Sequence, residues 1–366
     1  MQLFDIPHLP LVAGATGSFA VCLLIVLTRH WHGHLSLDEA KGVQKFHVEP
    51  TPRIGGVAIL LGGLAGWMFA PSKVDDVLGV MWLAGLPAFI FGLAEDLTRR
   101  VGVRERLLAT MASGILAWWL TDISLTRLDL WGLDRLLRWT PFSVIFTAFA
   151  VGGITNAFNI IDGFNGLAAG VMLVCLSAFG LTAFLAGDPV MAKVCFVMGG
   201  VTAGFLLMNF PWGKIFLGDG GAYLLGFWVA WIAVLIPMRN PEVSPWSSLL
   251  ICAYPIVEVL ISILRRRTRR QRISPGAPDR LHLHSLVKSR IAKKKLSGWA
   301  PHIRNSAVSP PLWLLAAIPA GMAPWFRGDT WALIGALVLF LLLYLYCYRA
   351  LIRFAIPMDS NNRVIE

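Results

Sequence analysis

The chain has 366 residues, of which 56% are hydrophobic types and 14% charged, against about 25% charged in a typical soluble protein. This excludes a disordered chain, which needs low hydrophobicity and high charge, and an ordinary soluble globule, which needs more polar surface over its core. The net charge of +11, from 32 basic and 21 acidic side chains, needs no nucleic-acid partner, because in a membrane protein Lys and Arg first set orientation.

A bilayer core about 30 Å thick needs about 20 apolar residues per helix. Apolar runs of that kind lie near 9–28, 54–70, 77–94, 107–123, 141–158, 166–186, 191–210, 220–238, 246–264, 311–326 and 331–349. The expected class is therefore an all-α, polytopic integral membrane protein with about 11 transmembrane helices. The first run has no Lys or Arg before it and is followed by Arg29, the reverse of a signal peptide's order. Cys22, Cys175, Cys195, Cys252 and Cys347 all fall in apolar stretches and read as small buried hydrophobes rather than ligands or a disulfide framework.

Eleven spans put the termini on opposite sides and sort the loops into two alternating sets. One set comprises 29–53, 95–106, 156–165, 209–219, 265–310 and the tail, and holds 25 of the 32 basic residues. The positive-inside rule makes that set cytoplasmic, with the N-terminus periplasmic and the C-terminus inside. Residues 1–350 then form a single transmembrane domain with cytoplasmic loops, and 351–366 a cytoplasmic tail. On the other side, Thr121 to Thr140 alternates charges with Leu and Trp, as in a segment lying at the outer membrane interface.

The basic-rich set also holds the polar chemistry. Glu95 and Asp96 emerge from an apolar run after Gly92. They read either as a helix-end pair facing Arg99 or Arg100, or as a pair held by a cation. In Asn156-Ala157-Phe158-Asn159-Ile160-Ile161-Asp162-Gly163-Phe164-Asn165-Gly166, helical spacing puts Asn156, Asn159 and Asp162 on one face. There they can converge on one ion or phosphate, or bond to neighbouring helices. Phe216-Leu217-Gly218-Asp219-Gly220-Gly221 is a turn whose amides suit phosphate and whose carboxylate suits Mg²⁺. Arg280-Leu281-His282-Leu283-His284 follows an arginine run at 265–272. Most of that run suits anionic lipid, and the histidines suit contact with a diphosphate.

These motifs, with His47-Val48-Glu49-Pro50-Thr51-Pro52-Arg53-Ile54-Gly55-Gly56 before them, resemble the polyprenyl-phosphate N-acetylhexosamine-1-phosphate transferases. The likeness runs in the family's order from about residue 40 to 290. It implies a Mg²⁺-dependent phosphotransferase, with Mn²⁺ as the substitute cation, in the bacterial inner membrane, its site on the cytoplasmic face. The partners implied are undecaprenyl phosphate, a UDP-N-acetylhexosamine (most simply UDP-GlcNAc) and membrane lipid, with a homodimer left open. UMP would leave, and the lipid-linked sugar would begin a cell-envelope polysaccharide. By motif position, Asn159 and Asp219 would bind the metal, and Asp96 and Asp162, with Glu95, would form the acidic cluster that positions or activates the acceptor phosphate. Arg104 or Arg106 would touch the diphosphate. Arg280, His282 and His284 would form the last phosphate-binding loop, with His47, Arg53, Asn156 and Asn165 completing the substrate contacts. The chain departs from the family pattern at Glu95, Asn165 and Ser285, where an Asp, a second acid and a third histidine are usual. Rival readings are an ion-coupled transporter using these acids and Glu258, or a weakly catalytic scaffold.

Overall fold

The computed structural model describes residues 8–38, 50–268, 281–292 and 295–353. Each of the eleven apolar runs lies on helix, and the architecture is an all-α, polytopic membrane protein. His8–Leu27 (α1) leads into a short helix Arg29–Ser36 (α2), where the sequence suggested only loop. Leu37–Asp38 (β1) then pairs antiparallel with Thr51–Pro52 (β2). Gly55–Met68 (α3), Ser72–Ala84 (α4), Leu86–Thr98 (α5), Val103–Thr121 (α6), Trp131–Leu137 (α7) and Thr140–Ile161 (α8) follow. Then come Leu167–Leu185 (α9), Pro189–Asn209 (α10), Gly218–Arg239 (α11), Pro245–Ile251 (α12) and Ala253–Thr268 (α13). The described chain continues through Leu283–Val287 (α14), a π-helical turn Lys288–Ala292, Pro301–Ser306 (α15), Ser309–Met322 (α16) and Thr330–Arg353 (α17).

Six of these helices (α1, α8, α9, α10, α11 and α17) are each long and apolar enough to cross a membrane. Two bent pairs, α4 with α5 at 43° and α12 with α13 at 75°, raise the number to eight. Both bends have a local cause. Gly85 precedes Pro87, and Cys252 precedes Pro255; proline lacks an amide donor and clashes with the turn before it. The predicted run 77–94 thus lies on two helices, and it misses the first turn at Ser72. The helix α3, with 14 residues, rises only about 21 Å.

At the centre stands α11, apolar on every side and buried from Gly218 to Pro237, as expected of a helix surrounded by others. It packs on α3, α5, α8 and α9. Trp228 and Trp231 are fully buried along it; Trp228 donates to the Met81 carbonyl at 3.1 Å. By contrast α1 and α17 leave wide apolar faces uncovered, with Leu24, Leu27, Leu339 and Tyr346 exposed. On the 121–140 segment, Trp131 is 90% exposed. That segment is held by Arg127, which bonds Asp129 at 2.8 Å and the carbonyls of Pro241 and Val243.

Candidate active site

The site forms where the first turn of α11 meets the ends of α5, α6 and α8 and the strand before α3. The backbone sets this meeting up. Phe216 donates to the Pro52 carbonyl, and Gly55 and Gly56 donate to Phe216 and Leu217, all at 2.8 to 3.0 Å. Arg53 donates its own amide to Ser36 on α2. The 52–56 and 216–217 segments therefore run as a short ladder that delivers Arg53 beside Asp219.

Asp219 is the hub. Its Oδ1 accepts from Arg53 Nη2 at 3.0 Å and from Asn159 Nδ2 at 3.2 Å. Its Oδ2 accepts from Arg106 Nη1. Tyr223, one turn further along α11, donates to Asn159 Oδ1 at 3.2 Å. The Arg106 guanidinium lies 5.9 Å from the centre of the Tyr223 ring. An acid in the first turn is also favoured by the helix dipole. The Asp219 side chain keeps 12% exposure.

Glu95 and Asp96 are engaged differently. Asp96 Oδ1 accepts the Asp219 amide and Oδ2 the Gly220 amide, each at 2.8 Å. Arg53 Nε lies 3.1 Å from Asp96 Oδ1. Glu95 Oε2 accepts the Val101 amide at 2.8 Å and so closes the turn between α5 and α6.

Asp162 sits just past α8, and among the described residues its carboxylate accepts no hydrogen bond. Burial, together with the Asp219 charge and against the pull of Arg53, raises its carboxyl to about 7. Beside it, His284 Nε2 would lie 3.9 Å from a Cβ placed on Gly163. The His284 ring packs edge-on to Phe164 at 5.5 Å and stacks on His282 at 5.1 Å. Burial pushes the His284 imidazole down to about 4, so it is neutral at pH 7 and offers a hydrogen bond rather than a charge. Among the described residues its buried Nδ1 has no partner. His282 is held by Glu258, whose Oε1 lies 3.0 Å from Nδ1 and also takes the Leu283 amide at 2.8 Å. The Tyr344 hydroxyl donates to Glu258 Oε2 at 2.9 Å.

The structure thus joins Arg53, Asp96, Arg106, Asn159 and Asp219 in one network, and sets His284, with His282 stacked on it, against the turn that follows Asp162. Other candidates lie elsewhere. Asn156 is spent on Thr110 at 3.0 Å and on the Gly152 carbonyl at 2.7 Å, so the three polar residues of α8 do not converge on one point. Asn165 donates to Ser306 Oγ at 3.2 Å and to the Pro211 carbonyl at 3.4 Å, while its amide bonds Asn305. Arg104 is exposed one turn before Leu108. His47 and Arg280 lie outside the described residues. Tyr223 went unnoticed in the sequence, although its i+4 spacing from Asp219 marks it. The pairing of Glu258 with His282 has no sequence signal.

Asp219 and Asn159 carry oxygens of the kind a hard cation such as Mg²⁺ prefers, and here the Asp219 oxygens are taken by Arg53, Arg106 and Asn159 Nδ2. Among the described residues, no three His, Cys, Asp or Glu side chains gather into a metal cage. A cation at this place would have one carboxylate, Asp219, and one amide oxygen, that of Asn159, to draw on.

Residues 78–236 match the model of glycosyl transferase family 4. The chain is also similar to the undecaprenyl-phosphate alpha-N-acetylglucosaminyl 1-phosphate transferase of Yersinia pestis, at 28% identity over 259 residues, covering 69% of this chain and 70% of that one. The proteins of the same name from Escherichia coli (strain K12) and Salmonella typhi are 29% and 27% identical, over 72% of each chain. The matched segment runs from inside α4 almost to the end of α11 and contains Asp96, Arg106, Asn159, Asp162 and Asp219. Within that segment the chain is therefore similar to glycosyl transferase family 4.

Proposed function

We propose that the protein transfers N-acetylglucosamine 1-phosphate from UDP-N-acetylglucosamine to undecaprenyl phosphate, releasing UMP and leaving a lipid-linked diphosphate sugar. The carrying observation is the Asp219 hub, a partly open carboxylate at a helix N-terminus flanked by two guanidiniums, in a domain whose relatives bear that activity in their names. An acceptor phosphate oxygen attacks the β-phosphorus of the donor, the bond from that phosphorus to the bridging oxygen breaks, and UMP departs with the electron pair. A phosphate monoester has its second pKa near 6, so the acceptor is mostly dianionic at pH 7 and needs no strong base.

In this reading Arg53 and Arg106, now on Asp219, are within reach of a diphosphate that enters beside them, and guanidinium forks match phosphate oxygens. Asp219 and Asn159 would hold Mg²⁺, or Mn²⁺ in its place, through their side-chain oxygens, which suit a hard cation. The chemistry it supplies when bound is neutralisation of diphosphate charge. Asp162 positions the acceptor phosphate, and neutral His284 donates a hydrogen bond to a phosphate oxygen. The domain spans the bacterial inner membrane as a single unit of eleven segments, N-terminus periplasmic, with the site on the cytoplasmic face where the basic loops gather.

The transporter reading loses its main support, because Glu258 is bonded to His282, Leu283 and Tyr344. The test is direct. Purified protein with UDP-N-acetylglucosamine, undecaprenyl phosphate and Mg²⁺ should release UMP, and chelation should stop it. No UMP from any UDP-N-acetylhexosamine would overturn the proposal.

A further inference from the structure

The Asp96 carboxylate is fully sealed, its side chain 0% exposed against 12% for Asp219. Both oxygens are occupied, Oδ1 by the Asp219 amide and Arg53 Nε, and Oδ2 by the Gly220 amide. Those two amides belong to the first turn of α11, where backbone N–H groups have no partner inside the helix. The approach that allows this is unusually close. A Cβ on Gly92 would lie 2.6 Å from the Asp219 carbonyl oxygen, and one on Gly218 would lie 2.6 Å from Asp96 Oδ2. Gly218 also has φ +72°, a conformation that only glycine adopts cheaply. Gly92 lets α5 lie against α11 backbone to backbone, and Asp96, one turn beyond it, reaches the exposed amides.

The geometry points to Asp96 as a positioning residue: it caps the N-terminus of α11 and fixes Asp219, acting on the reaction through Asp219 rather than by touching substrate. The acid-bearing segment 92–96 and the glycine-flanked Asp219 are then two halves of one joint. The inference rests on the proposed transferase for the importance of Asp219, whereas the cap itself is a matter of backbone hydrogen bonds.

Amide hydrogen exchange of the full chain in detergent tests the cap without reference to activity. In Asp96→Ala, the peptide covering residues 216–222 should exchange at least tenfold faster than in wild type. Asp96→Asn, which keeps one acceptor, should fall between the two, and remains readable if the alanine variant fails to fold. Asp162→Ala should leave that peptide unchanged. Mn²⁺ alone, followed by its electron paramagnetic resonance signal, reads the action through Asp219. Asp96→Asn should weaken Mn²⁺ binding about tenfold, and should add nothing in an Asp219→Asn background. Unchanged exchange in Asp96→Ala would overturn the inference, as would wild-type Mn²⁺ affinity in Asp96→Asn with turnover down more than a thousandfold. If wild type neither binds Mn²⁺ nor releases UMP, the transferase reading falls, and the exchange result still decides the cap.

Discussion

The two sides of the site differ in how far their polar groups are satisfied. Around Asp219, Arg53, Arg106, Asn159 and Asp96 bond to one another and to the first turn of α11. On the other side, among the described residues, Asp162 accepts nothing and a buried ring nitrogen of His284 has no partner. Leaving a buried polar group unmade costs about 1–3 kcal/mol. A fully bonded network holds a shape, whereas an unbonded group gains most from an incoming ligand. In the proposed reading, the Asp219 side holds geometry and charge, and the Asp162 side meets the acceptor.

The largest effect that can break this contrast is at the hub. Asp219→Asn should lower UMP release by about a thousandfold or more, in keeping with loss of a pre-organised electrostatic group, and no Mg²⁺ concentration should restore it. Recovery at high Mg²⁺ would move the hub elsewhere. Next is Glu258, which supports the histidine loop from below. Glu258→Ala removes the buried carboxylate that His282, the Leu283 amide and Tyr344 share and should destabilise the fold by about 3–5 kcal/mol, read as a fall in Tm, with turnover lost in proportion to the unfolded fraction.

Asp162 gives a smaller and sharper test. Asp162→Asn should keep turnover within about tenfold, since positioning rather than proton removal is asked of it, and should flatten any pH dependence around pH 7. Its raised carboxyl also has a stability consequence. Because the folded state holds the proton up to about pH 7 and the unfolded chain releases it near 3.9, wild type loses stability as pH rises between those values. Asp162→Asn, neutral throughout, should therefore gain Tm over wild type at pH 8 compared with pH 4. Smallest is Arg104→Ala. Its exposed side chain lies outside the Asp219 network, so UMP release should stay within about twofold, while Arg106→Ala should fall well beyond that.

Helix positions were legible in the sequence because apolar runs have nowhere else to go in a membrane. The breaks at Gly85 and Cys252 fall inside runs that the sequence offers as single spans, and Pro87 and Pro255 account for them only once the helices are seen. The predicted outer segment has the exposed Trp131 and Trp139 that its pattern suggested. Part of the site was visible through residue types: Asp219, Asn159 and Arg106 do come together. What the sequence could not carry were bonds between distant segments. Asp96 reaches amides more than 120 positions away, and nothing local tells a capping acid from one that faces a ligand. Asn156 and Asn165 look equivalent to Asn159 by spacing, yet one bonds α6 and the other bonds α15. Residue spacing places groups on a helix face, but only packing decides what that face meets.

The most direct test of the account is UMP release from UDP-N-acetylglucosamine and undecaprenyl phosphate by wild type and Asp219→Asn, side by side across a Mg²⁺ titration. The account predicts Mg²⁺-dependent release by wild type and about a thousandfold less from the variant at every concentration. Equal release from the two proteins would contradict it.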